Sequence, residues 1–213
     1  MSKEQLYNST ITEETLDRTE ALNPTELNIL DYGRPSDICQ GIKSGRLGNM
    51  AGGFPFHLFG VKWYGTEFLY LCGEWSLNDE KSLEIQNYIR TQKSGAWVYR
   101  CAKSKYSDYI RPDFPEFRHQ WMLWCVWQKC VLNETFAHFL KSIPEDVVIV
   151  EKVKRDPIWA AWPDENGIIR GGNAMGKILT ICRRHLLAGT QPDINRELLN
   201  KAGIYILGNK VEF

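Results

Sequence analysis

Between Phe114 and Leu140 apolar side chains recur at three- and four-residue steps: Phe117, Trp121, Trp124, Cys125, Leu132, Phe136, Phe139 and Leu140. That repeat follows one face of an α-helix. A stripe so rich in large rings must be covered by other elements, and it predicts one long helix over the whole stretch. A second helix is expected over Asn173–Leu187, opened by the Gly171-Gly172 turn. Further helices are expected from Thr66 to Trp75, with Thr66 as N-cap, and over Leu83–Gln92, with Leu83, Ile85, Tyr88 and Ile89 inward. Strand signals are few: a short strand near Phe54–Trp63 and the β-branched run Val147–Val150. The expected fold class is mainly α with a few short β-strands.

The chain has 213 residues, 43% of them hydrophobic, enough for one large domain with extensions. Residues 1–30 read as an acidic, loosely docked N-terminal segment. Within it Thr10-Ile11-Thr12-Glu13 and Asn23-Pro24-Thr25-Glu26 look like starts of short helices. Residues 31–187 form the main domain and begin with a turn-rich loop that reaches Gly60. Residues 188–213 form a C-terminal extension packed on that domain, with a helix at about Asn195–Ala202 and an apolar strand or pad at Ile204–Leu207.

No apolar run approaches the ~20 residues of a membrane span. The opening Met1-Ser2-Lys3-Glu4 is not a secretory leader, so a cytoplasmic location is expected. The 6 cysteines are scattered, with no C-x-x-C pair and no His cluster beside them. Buried, reduced thiols are expected, with no zinc site, no disulfide framework and no other cofactor.

Net charge is zero but unevenly placed. The segment 90–111 carries Arg90, Lys93, Arg100, Lys103, Lys105 and Arg111 against Asp108 alone. Such a strip can meet phosphates or can be a solvated helix face. Arg100, Lys103 and Lys105 are its candidate phosphate or nucleic-acid contacts.

Three places could carry chemistry. Glu67 lies among Trp63, Tyr64, Phe68 and Tyr70 at a helix start. Rings strip a carboxylate of water, which suits it to proton transfer; the alternative is a first-turn Glu complementing the helix dipole. Asp156 precedes Pro157 in a turn, where it either caps local amides or faces a ligand. Gly171-Gly172-Asn173-Ala174-Met175-Gly176 opens a helix whose free N–H groups could take an anion, or is simply a glycine turn with a capping Asn.

In order, these pieces resemble the NADAR family, also called YbiA-like. The resemblance spans Gly48–Arg183. It is carried by Gly48-Asn49-Met50, Trp63 with Thr66-Glu67 and Tyr70, Arg118-x-x-Trp121, Lys129, Ile149-Val150-Glu151, Asp156-x-x-Trp159, and Gly172-Asn173-x-x-Gly176-x-x-Leu179 ending at Arg183. The chain departs from the family pattern at Ala160, at Ser142-Ile143-Pro144-Glu145-Asp146, and at Tyr99-Arg100, where some members carry a Lys.

The resemblance implies a YbiA-like fold and an N-glycosidase. One branch of the family acts on phosphoribosylamino intermediates of riboflavin synthesis. Another removes ADP-ribose from guanine in nucleic acid, countering DarT-type toxins, and the chain is more similar to that one. A binding module that holds ADP-ribose without cleaving it is a further alternative. By resemblance Glu67 and Asp156 are catalytic. Asn49, Trp63, Arg118, Trp121, Lys129, Trp159, Gly172, Asn173 and Gly176 bind substrate, with no metal. The implied partner is ADP-ribosylated guanine in DNA or a ribose-phosphate small molecule.

Overall fold

The computed structural model describes residues 1–92 and 94–213; Lys93, part of the basic segment, lies outside the described residues. In chain order the elements are α1 (Lys3–Ser9), β1 (Glu20–Leu22), β2 (Ile29–Tyr32), β3 (Phe56–Leu58), β4 (Val61–Trp63), α2 (Thr66–Cys72), α3 (Glu80–Thr91), α4 (Gly95–Tyr106) and α5 (Phe114–Leu132). There follow α6 (Glu134–Lys141), β5 (Val148–Glu151), β6 (Ala161–Pro163), β7 (Ile169–Gly171), α7 (Ala174–Ala188), α8 (Arg196–Ala202), β8 (Tyr205–Ile206) and β9 (Asn209–Lys210). The fold is mainly helical with short strands. Its contacts divide it into a first unit, Met1–Gly48 with Glu134–Asp193, and a second, Asn49–Asn133 with Ile194–Phe213.

In the first unit the β-branched run becomes β5, paired in parallel with β2 from Ile29↔Val148 to Tyr32↔Glu151. Parallel strands need cover, and α7 supplies it, with α6 packed on α7 in turn. Gly176 makes the α7–β5 approach possible, because a Cβ there would collide with the Ile149 carbonyl oxygen. β1, β7 and β6 form an antiparallel sheet, and Leu22, Val148, Val150, Ala161 and Ile169 close into one apolar cluster.

The acidic N-terminus is tied down, contrary to its composition. Ser2 and Gln5 form a capping box at the head of α1. Asn8 Nδ2 donates to the carbonyls of Glu145 (3.2 Å) and Val147 (2.9 Å). Lys177, wholly enclosed on α7, donates to the Thr15 carbonyl at 3.2 Å and pairs with Glu20 at 2.8 Å. Thr10 ends α1 rather than starting a helix. Asn23 closes a turn, its side chain accepting from the Thr25 N–H at 3.1 Å.

In the second unit β3 and β4 form a hairpin whose turn residues, Phe59 and Gly60, both have positive φ. Here α2 packs against α3, α4 and α5, and α8 packs on α5. Leu83, expected inward on α3, faces solvent, and Gln86 occupies the buried position. The amide of Gln86 has work there: it donates to the carbonyls of Trp75 (2.6 Å) and Tyr205 (2.8 Å) and accepts from the Leu207 N–H (2.6 Å). Phe213 stands edge-on to the stacked Trp121–Trp124 pair. The tail from Ile194 onward is therefore part of this core.

The long helix expected over Phe114–Leu140 is broken. Asn133 leaves helical geometry (φ −136, ψ 95) between α5 and α6, and its side chain donates to the Pro55 carbonyl at 2.7 Å. The cysteines are free thiols; Cys39 and Cys101 are partly exposed, and the other four are buried as expected. Among the described residues no helix is long and apolar enough to cross a membrane.

Candidate active site

Gly65 caps α2, and a Cβ on it would stand 3.0 Å from the Asn49 carbonyl oxygen. That close approach lays the Asn49 segment along the helix start, where the same oxygen accepts from the Glu67 N–H at 3.5 Å. The N-cap is thus one residue earlier than Thr66. Thr66 is wholly enclosed, and its hydroxyl has no hydrogen-bond partner among the described residues.

Glu67 follows in the first turn, only 5% exposed. One turn on, burial pushes the Tyr70 hydroxyl well above its ordinary range, the carboxylates of Glu74 and Glu67 push it further, and Arg118 opposes them. Tyr70 therefore keeps its proton near neutrality. Glu67, Glu74 and Arg118 thus all act electrostatically on one phenol. Arg118 is half-buried on α5, and its Nε is enclosed with no hydrogen-bond partner among the described residues. A buried guanidinium N–H left without an acceptor is costly unless a ligand supplies one.

The other residues named in this unit are enclosed. The Trp63 indole donates to the Leu58 carbonyl at 3.1 Å and closes the hairpin. The Trp121 indole donates to the Tyr70 carbonyl at 3.0 Å, its ring filling the space that the missing side chain of Gly73 leaves. Neither ring opens to solvent, so both act through packing. Asn49 Nδ2 donates to the Met122 sulfur at 3.0 Å, and Lys129 is buried on α5.

In the first unit Asp156 forms an Asx turn. Its Oδ1 accepts from the N–H groups of Ile158 (3.3 Å) and Trp159 (3.0 Å), while Oδ2 has no protein partner among the described residues. Both readings of this residue therefore keep an oxygen. Trp159 is partly exposed.

The anion-binding expectation for the start of α7 is corrected. The N–H groups of Gly172, Asn173, Ala174 and Met175 donate to the carbonyls of Pro157 (2.7 Å), Ala160 (3.2 Å), Ile158 (3.2 Å) and Trp159 (3.1 Å). No free amide remains at 172–175 for a phosphate. Gly172 is needed because a Cβ would collide with the Ile158 carbonyl. Asn173 adopts the left-handed conformation (φ 46, ψ 33), and its amide bonds to the backbone of β5.

The basic segment is largely consumed internally. Lys103 pairs with the buried Glu74. Arg111 is enclosed, forked onto Asp113 at 2.7 Å and bonded to Ser76 at 3.0 Å. Lys105 lies over the rings of Tyr88 and Tyr106. Arg100 remains exposed. Glu74 is a site-adjacent carboxylate for which the local sequence raises no expectation. The signal that points to it is the seven-residue step from Glu67, two turns along the same helical face.

No protein-family model matches the sequence, and no curated protein sequence matches it significantly. Among solved structures the chain is similar to the NMR structure of the E. coli protein YbiA. The TM-score is 0.58 and the identity 21%, over 76% of this chain and 86% of that one. The architecture is YbiA-like.

Proposed function

We propose that the protein is an N-glycosidase that hydrolyses the bond between ADP-ribose, or a ribose phosphate, and a base nitrogen. Its substrate in this reading is ADP-ribosylated guanine in nucleic acid, and its role is to counter a DarT-type toxin. The observation that carries the proposal is the enclosed Glu67 in the first turn of α2, on a YbiA-like fold.

Breaking such a bond develops positive charge at the ribose C1′ and needs water on that carbon. Glu67 is suited either to stabilise that charge or to take the proton from the attacking water, while the leaving nitrogen gains a proton. The unsatisfied Nε of Arg118 is a donor for a phosphate oxygen. Asn49, in the same unit as Glu67 and Arg118, can orient the sugar, and the Oδ2 of Asp156 is open to accept a further hydrogen bond.

A second reading has one observation in its favour. Lys103 and Arg111, which could have met a polyanion, are spent on Glu74 and Asp113, and a free phosphoribosylamino intermediate needs no such strip. Parallel incubation with an ADP-ribosyl-guanine oligonucleotide and a phosphoribosylamino-pyrimidine separates the two. Release of ADP-ribose from the oligonucleotide is expected. Turnover of the small substrate alone would replace this reading with the second, and calorimetric binding of ADP-ribose without any turnover would reduce the protein to a binding module.

A further inference from the structure

The segment on either side of the Asn49–Glu67 contact carries large side chains that the core does not use. Met50 is 41% exposed, Tyr64 39% and Trp97 54%. Gly95, at the start of α4, lies against Met50: a Cβ on it would stand 3.0 Å from the Met50 Cα. Trp97 is therefore carried by the turn of α4 that adjoins the Asn49–Met50 corner, and Tyr64 stands just ahead of the Gly65 cap. All belong to the second unit.

Each exposed ring carries a cation. Lys62 Nζ lies 5.4 Å from the centre of the Tyr64 ring, and the Arg100 guanidinium lies 5.9 Å from that of Trp97. No acidic side chain occurs on α4. The far end of α4 is different, because Lys103 is neutralised by Glu74 and Lys105 is laid over Tyr88 and Tyr106. Among the described residues of α4, an exposed ring thus stands beside a cation with no acidic partner at Trp97–Arg100, in the half that adjoins the Asn49–Met50 corner. Single exposed rings are ordinary at a protein surface; what sets these two apart is the cation beside each, since a ring next to a cation suits a stacked base with its phosphate.

We propose that the pairs Lys62–Tyr64 and Arg100–Trp97 form a platform for single-stranded nucleic acid, stacking unpaired bases and holding their phosphates on either side of the Glu67 corner. This deepens the glycosidase reading and rests on it for biological meaning. The binding itself needs no modified base.

The test uses the full chain and an unmodified single-stranded oligothymidylate, followed by tryptophan quenching and by anisotropy of a labelled strand. Binding should weaken steeply between low and moderate salt, and a duplex of the same length should bind less tightly. Trp97→Ala and Tyr64→Ala, both surface changes, should each weaken strand binding by about tenfold, as should Arg100→Glu. Wild-type affinity in all three variants would overturn the platform. So would salt-insensitive binding, or a concentration-dependent dimer that the same substitutions abolish. Strand binding without glycosidase activity would sink only the catalytic reading. Hydrolysis of ADP-ribosyl-guanosine without strand binding would sink only this inference.

Discussion

The side-chain carbonyl of Asn173 accepts a hydrogen bond from the backbone N–H of Glu151 at 3.1 Å. Its amide donates to the Ile149 carbonyl at 3.0 Å, so one side chain completes a β-bridge along β5. Asn173→Ala should destabilise the fold by about 1–3 kcal/mol, because two backbone groups lose their partners. Urea unfolding checks this. If stability is unchanged and substrate affinity falls instead, the amide serves the ligand and not the strand.

Much of this architecture is visible locally, and the corrections share one cause. The ring periodicity reveals α5 because each turn carries its own signal. The break at Asn133 does not show, because it depends on a carbonyl at Pro55, far away in sequence. Gly172 and Asn173 look like an anion nest by residue type. Whether a helix start is free depends on what else reaches it, and here the 157–160 turn does. The basic segment looks open for the same reason, since Lys103 finds Glu74 only through the fold. Local pattern thus identifies elements well, while the availability of a polar group is a tertiary property.

Gly73 faces the Trp121 indole with no room for a methyl group. Gly73→Ala must therefore displace a ring that is stacked on Trp124 and bonded to Tyr70. Overpacking of this kind typically costs about 1–3 kcal/mol. A lowered midpoint in thermal unfolding, with altered tryptophan fluorescence, is expected. A variant as stable as the wild type would mean that the α2–α5 contact is looser than the structure has it.

Burial raises Glu74 above the ordinary carboxylate value of 4.5, and the ion pair with Lys103 offsets this only in part. The folded state therefore holds this proton to higher pH than the unfolded state does. Between the two pKa values the native protein binds more protons, so stability falls as pH rises through that window. The contribution is complete below pH 4.5 and is lost as pH passes the raised folded value. Glu74→Gln should remove that decline, giving a flatter stability profile from pH 4.5 upward in denaturant titrations. An identical slope in the two proteins would show that Glu74 is not the responsible group.

Asp156 offers a way to separate turn from chemistry. Asn at this position keeps an oxygen for the N–H groups of Ile158 and Trp159 and removes only the charge on the free Oδ2. Asp156→Asn should hold the turn, with unfolding within about 0.5 kcal/mol of wild type, yet lower glycosidase turnover. Unchanged turnover would leave Asp156 as a turn residue.

Glu67→Gln is the decisive variant. The substitution keeps the size of the side chain, and the Glu67 N–H that meets the Asn49 carbonyl is backbone and untouched. An enclosed amide in place of a carboxylate can still hydrogen-bond, but it can neither take a proton from water nor balance a cationic sugar. Loss of one acid–base group commonly lowers the rate by about 10²–10⁴-fold. The variant should thus unfold like the wild type, bind ADP-ribose, and release almost none of it from ADP-ribosyl-guanine. If instead the variant binds and turns over normally, the buried carboxylate belongs to the helix start alone, and the chemistry must be sought elsewhere on this fold.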